Sequence, residues 1–156
     1  MKRVIGYLLG MMLIFFANST YAAEINQGYT TVEQAVKQFE EKHGQGIKAP
    51  TFLPLQYSQQ KGRVYDSDAK LELEYTHQSE TLIVFVSPNK EPLRTSEFHE
   101  TVLLKDGTKA YYRVSTPGFH QLDFTKGNLN YKIWASSKSK YVTSSKELVR
   151  VANSII

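Results

Sequence analysis

Two runs of alternating apolar and polar residues, Phe119–Lys126 and Leu129–Ser136, meet at Gly127-Asn128, and that junction restricts the chain more than any other feature in it. Glycine and asparagine both tolerate positive φ, so the dipeptide closes a tight antiparallel hairpin. Counting outward opposes Phe124 to Tyr131 and Leu122 to Ile133 on one face, and Asp123 to Lys132 and Thr125 to Asn130 on the other. One face is apolar; the other carries an ion pair and a polar pair. A slip of one residue would send every side chain to the wrong face, so pattern and turn fix the register together.

Other segments follow the same logic. Asp106-Gly107 predicts a second hairpin between residues 101–105 and 108–114, with Leu103 opposite Ala110, Val102 opposite Tyr111 and Glu100 opposite Arg113. Leu71, Leu73 and Tyr75 alternate with Glu72, Glu74 and Thr76, which predicts a half-buried strand whose acids face water. Residues 81–86 are apolar after Thr81, as in a central strand covered on both sides. A short strand is expected near residues 62–65, and a brief one at Tyr141 and Val142. Val32, Ala35, Val36 and Phe39 instead recur at helical spacing behind a Thr30 or Thr31 cap, with Gly44 and Gly46 to end the turn. Ser144 and Glu147 form a capping box before Leu148, Val151, Ala152 and Ile155. Prolines 50 and 54 keep the stretch between them out of a sheet interior, with Phe52 and Leu53 pinning it to the core. The expected fold class is α+β: an antiparallel sheet of about six strands, with an N-terminal and a C-terminal amphipathic helix packed on one face.

Residues 1–22 read as a secretory signal peptide: Lys2 and Arg3, an apolar run of thirteen residues over 4–16, then small and polar residues ending near Ala22. As a helix that run spans about 20 Å, short of the roughly 30 Å hydrocarbon core of a bilayer. The expected organisation is a cleaved leader over 1–22 and one exported domain over 23–156, secreted or extracytoplasmic, touching the membrane only through its leader. Losing Lys2 and Arg3 reduces the 19 basic and 15 acidic residues to 17 and 15, a net charge of +2. That small surplus does not make the concentrated basic stripe that nucleic-acid binding needs. The absence of cysteine excludes a disulfide framework, a thiolate nucleophile and a thiolate metal site.

The order of Pro50-Thr-Phe-Leu-Pro54, the strands around Leu73-Glu-Tyr75 and Leu82-Ile-Val-Phe85, the Asp106-Gly107 hairpin, the Trp134 strand and the closing helix from Glu147 to Ile155 resembles a family of unknown function. Its members occur in Gram-positive sporeformers as exported domains, and as the extracytoplasmic part of anti-sigma-factor-like membrane proteins. The resemblance covers most of the chain after the leader. It implies an α+β domain in an envelope setting, and it brings no catalytic residues and no ligand with it.

Searching for chemistry gives little. His43, His77, His99 and His120 show no metal-ligand spacing, and His99-Glu100 lacks the second histidine of a zinc helix. No serine stands in a Gly-x-Ser-x-Gly elbow, and Gly44 and Gly46 follow a helix rather than open one. Glu72 with Glu74, and Glu97 with Glu100, are read as solvated acids rather than a glycosidase pair. No catalytic residue, metal site or cofactor is therefore expected. What remains is a basic aromatic surface: Trp134, Lys132, Lys138, Lys140 and Tyr141, with Tyr111, Tyr112 and Tyr131 nearby. The leading expectation is a non-enzymatic exported domain that binds an envelope component, either a protein partner or an anionic wall polymer. Two alternatives stand beside it. One is a small secreted hydrolase with a triad or histidine-metal site assembled from distant strands, His77, His99 and His120 being the histidines concerned; the other is a lipid or hydrophobic-ligand carrier built around Leu73, Phe85 and Tyr131.

Overall fold

Thr31 sets the start of the first helix. In a computed structural model of the chain, which describes residues 28–67, 69–88, 93, 95–115 and 118–156, its hydroxyl accepts the Gln34 N–H at 3.2 Å. That satisfies one of the donors a helix N-terminus leaves open. This helix, α1, runs Val32–His43 and stops at Gly44, whose φ of 63° lets its N–H reach the Glu40 carbonyl at 2.8 Å. At the far end of the chain α2, Ser145–Ile155, carries the full capping box of Ser144 and Glu147. The leader expected over residues 1–22, with its cut near Ala22, lies outside the described residues.

Between the helices, seven strands make one antiparallel sheet: β1 Gln59–Tyr65, β2 Lys70–His77, β3 Glu80–Pro88, β4 Glu100–Leu103, β5 Lys109–Ser115, β6 Phe119–Lys126 and β7 Leu129–Ser136. Their spatial order is β1-β2-β3-β7-β6-β5-β4. The fold is thus α+β, with seven strands where about six were expected. The β6–β7 hairpin has the register its sequence predicts, with Phe124 opposite Tyr131 and Asp123 opposite Lys132.

Register decides what each face holds. Leu73, Val84, Ile133 and Leu122 form one line across β2, β3, β7 and β6, and each is at most 1% exposed. Onto this face α1 brings Val32, Ala35 and Phe39, and α2 brings Leu148, Val151, Ala152 and Ile155. Each valine, leucine, isoleucine or phenylalanine among them contributes roughly 1.5–3 kcal/mol by leaving water. The proline-flanked stretch wraps α2: Thr51 donates to the Ser154 carbonyl, and the Arg150 guanidinium lies 3.9 Å from the Phe52 ring centroid. Both helices share this face. Residues 81–86 are therefore covered by helices on one side only, with Ile83 and Phe85 half-buried on the other. No strand forms at Tyr141 and Val142, although Val142 is buried.

Gly62 shows how closely α1 approaches. A Cβ there would stand 2.6 Å from the Ala35 Cβ and 3.0 Å from Leu73 Cδ2, so only a residue without a side chain lets helix and edge strand meet. Gly62→Ala is expected to cost about 1–2 kcal/mol, the overpacking penalty offset in part by lower chain entropy when unfolded. A lowered urea midpoint at unchanged slope checks this, and an unchanged or raised midpoint refutes it.

The second hairpin departs from expectation by one residue. Leu103 pairs with Lys109, Val102 with Ala110 and Glu100 with Tyr112. Instead of a two-residue turn, Gly107 N–H donates to the Leu104 carbonyl and Leu104 N–H to the Thr108 carbonyl, both at 2.9 Å, while Gly107 takes φ 84°. This is the longer loop with a glycine bulge. The extra residue turns Leu104 into the core at 3% exposure and leaves Leu103 at 65%.

A basic and aromatic cavity on the open sheet face

Arg63, Glu72, Phe85, Lys132, Asp123 and Tyr111 stand in a single row across six strands on the face opposite the helices. Alternation alone marks these positions as solvent-facing; the structure covers several of them. Glu72 is only 5% exposed. Its carboxylate accepts from the Tyr29 and Tyr65 hydroxyls at 2.6 Å each, and from Arg63 Nη2 at 3.1 Å to both oxygens. Burial alone would push this acid's pKa up, but those donors outweigh it and hold it below the ordinary carboxylate value. The acceptor has the reverse effect on its partner, raising the Tyr65 phenol to about 12, with burial as the larger cause. The expectation of a solvated Glu72 is corrected here. Tyr29, whose neighbour Thr30 bridges to Gly62 on the edge of β1, lies over it.

Next along the row is a cavity of about 240 Å³. Lys70, Phe85, Asp123, Asn130, Lys132 and Trp134 line it, joined by Leu93 from the connection between β3 and β4. The same connection lays Phe98 against Tyr111 and places Glu97 on Arg113 at 2.6 Å. Trp134 is held edge-on to Phe85, centroids 5.1 Å apart, and stacks on Phe119 at 5.8 Å. Its indole N–H is buried and has no acceptor among the described residues.

Charge at this cavity is unbalanced in a specific way. Lys61, Arg63 and Arg113 on the same face each pair with a glutamate. Among the described residues Lys70 and Lys132 make no such ion pair. Their ammonium groups rest instead on rings, Lys70 at 4.4 Å from the Tyr65 centroid and 5.1 Å from Phe85, Lys132 at 5.6 Å from Trp134. The ion pair expected between Asp123 and Lys132 is thus absent although the two are cross-strand neighbours. Asp123 is 4% exposed, and the amide of Gln121 donates to its Oδ1 at 2.8 Å. No other hydrogen bond reaches that carboxyl among the described residues. Burial raises its pKa, opposed by Gln121, Lys132 and Arg113.

Of the surface residues singled out in the sequence, Trp134 and Lys132 lie at this cavity. Lys138, Lys140 and Tyr141 do not; they belong to the loop after β7, where Lys140 N–H donates to Glu80 at 3.2 Å and Tyr141 is 47% exposed. Tyr112 and Tyr131 turn to the helix side, Tyr112 to meet His120 Nδ1 at 2.6 Å and Tyr131 to stack on Phe124. His77, His99 and His120 are not brought together: no group of three or more potential metal ligands forms among the described residues. Leu73 and the Tyr131 ring point into the core and Phe85 away from it, and although Tyr131 borders the cavity beside Phe85, Leu73 does not. Lys70 went unmarked in the sequence, and Phe85 was not linked to Lys132 and Trp134, because nothing local says that β3 lies beside β7. No helix among the described residues is long and apolar enough to cross a membrane. No protein-family model, characterised protein or solved structure matches this chain.

Proposed function

We propose that this protein is a non-enzymatic binding domain exported to the cell envelope, and that its open-face cavity receives an anionic group of a wall polymer. The observation that carries this reading is the pair Lys70 and Lys132, two ammonium groups at one recess without a carboxylate partner among the described residues, on a face where Lys61, Arg63 and Arg113 each pair with a glutamate. An anion entering there gains two charge-assisted contacts and finds the Phe85 and Trp134 rings to pack against. The leader supports export, and the resemblance to exported domains points to the same compartment.

Purified protein sedimented with cell-wall fragments tests the reading. Binding is expected to fall with added salt and to drop at least about tenfold in the Lys70→Gln/Lys132→Gln double variant, each lost charged contact being worth about 1.5–3 kcal/mol before compensation. Walls stripped of their anionic polymers should retain little. Equal sedimentation with stripped and intact walls overturns the proposal, and so does recovery of the protein solely from the cell interior.

A further inference from the structure

The same cavity holds a feature that a plain anion site does not explain. Asp123 lines it, nearly fully buried, with Gln121 as its single hydrogen-bond donor among the described residues. An ionised carboxyl beside an incoming anion repels it, and a buried acid with one donor lacks the partners that such groups ordinarily have. A ligand that presents a hydroxyl next to its anionic group removes both difficulties: the hydroxyl donates to the carboxyl while the anion meets the lysines. Strand spacing fits this division. Asp123 and Lys132 are direct cross-strand neighbours, whereas Lys70 lies two strands from Lys132 and two residues along, about 12 Å away at roughly 4.8 Å per strand and 3.4 Å per residue. The charged groups therefore spread across the recess, with the acid at one end.

Resting on the reading above, we infer that the cavity recognises a single phosphorylated polyol unit, with Lys70 and Lys132 taking the phosphate, the Phe85 and Trp134 rings packing the carbon chain, and Asp123 selecting the hydroxyl beside the phosphate. At about 240 Å³ the recess is smaller than the roughly 300–1,000 Å³ that drug-sized ligands occupy, which suits one small repeat unit and not several. Lysine ammonium groups bind phosphate as point charges without demanding a fixed fork geometry. A neutral sugar leaves both lysines unpaired, and inorganic phosphate has no carbon-borne hydroxyl to add to the Gln121 donor at Asp123 while its oxygens are held by the lysines.

Titration calorimetry with glycerol 3-phosphate, inorganic phosphate and glycerol separates these cases. The wild-type protein is expected to bind glycerol 3-phosphate at least tenfold more tightly than inorganic phosphate and to ignore glycerol. Asp123→Leu should erase the preference, bringing the two phosphates within about twofold. Asp123→Asn should keep part of it, because its amide oxygen still accepts a hydroxyl. Thermal melts of both variants verify folding, and the asparagine variant is expected to melt no lower than wild type. Equal affinity for the two phosphates in the wild type, or a preference that survives in Asp123→Leu, overturns this inference while leaving the anion-binding reading intact. Failure of both phosphates and of intact walls overturns the two together. Phosphopolyol units occur in wall polymers and in lipid headgroups. Sedimentation with phosphatidylglycerol vesicles, compared with a soluble glycerol phosphate polymer, identifies the source. Binding to either supports the assignment of the unit, and binding to neither overturns it.

Discussion

Replacing Glu72 with alanine is expected to lower the free energy of unfolding by about 3–5 kcal/mol, the range found when one member of a buried ion pair is removed. Four hydrogen bonds converge on this carboxylate, two from tyrosine hydroxyls and two from the Arg63 guanidinium. Without it, Arg63, whose side chain is 17% exposed, keeps its charge in a poorly hydrated place with only the Tyr29 and Tyr65 ring faces for company. Tyr29 would also lose the anchor that holds it over the sheet. Urea unfolding of wild type and variant measures the difference, and a loss under about 1 kcal/mol would refute it. The paired replacement Arg63→Met with Glu72→Leu should recover most of the loss, because apolar side chains of similar volume remove both charges at once. Acid dependence gives a second signature. Since Glu72 titrates below its ordinary value of 4.5 when folded, the unfolded chain binds its proton first. Its contribution is complete above that value and is lost as pH falls through the lower folded value. The alanine variant should show a correspondingly shallower decline in that acid range.

Two adjacent leucines should behave as opposites. Leu104→Ala is expected to cost about 2–4 kcal/mol, since the side chain is 3% exposed and its removal leaves a cavity. Leu103→Ala, at 65% exposure, should stay within about 0.5 kcal/mol of wild type. The contrast reads the register of the β4–β5 hairpin directly. Under the tight two-residue turn that Asp106-Gly107 predicts, Leu103 would face Ala110 and bear the cost. Comparable effects at both positions, or a larger one at Leu103, would show that the bulged loop is not the form in solution. Denaturant midpoints of the two single variants suffice.

These cases mark where the sequence is legible. Gly127-Asn128 could be read through to individual pairs because both flanking runs alternate cleanly and a slip would bury Asp123 and Lys132 under the helices. Asp106-Gly107 could not, since aspartate before glycine serves both a two-residue turn and a bulged loop; Leu103 and Leu104 are equally apolar, so the pattern tolerates either. The helices were legible from Thr31, Ser144 and Glu147 because a cap is a local hydrogen bond. The cavity was half legible. Trp134 and Lys132 stand two apart on β7 and share a face by alternation, but Lys70 and Phe85 reach them through the β3–β7 pairing, which no short-range signal announces. Glu72 was misread for the same reason: the groups that bury it include Tyr29, 43 residues earlier.

That β3–β7 ladder has a consequence for how the chain acquires its shape. α1 packs on β1 and β2, and α2 on β6, so each half of the molecule owns a helix and a set of neighbouring strands joined by short connections. Within the sheet one seam joins them, from Leu82 beside Ala135 to Pro88 beside Leu129, partners 53 and 41 positions apart in sequence. Loops of that length close slowly compared with hairpins. A polypeptide emerging from a ribosome or a translocation channel with its N-terminus leading presents the greasy 82–86 segment long before its mate arrives. Until residue 135 has cleared the exit, that segment has no permanent neighbour on one side, and this interval is when the nascent molecule most needs a holding chaperone.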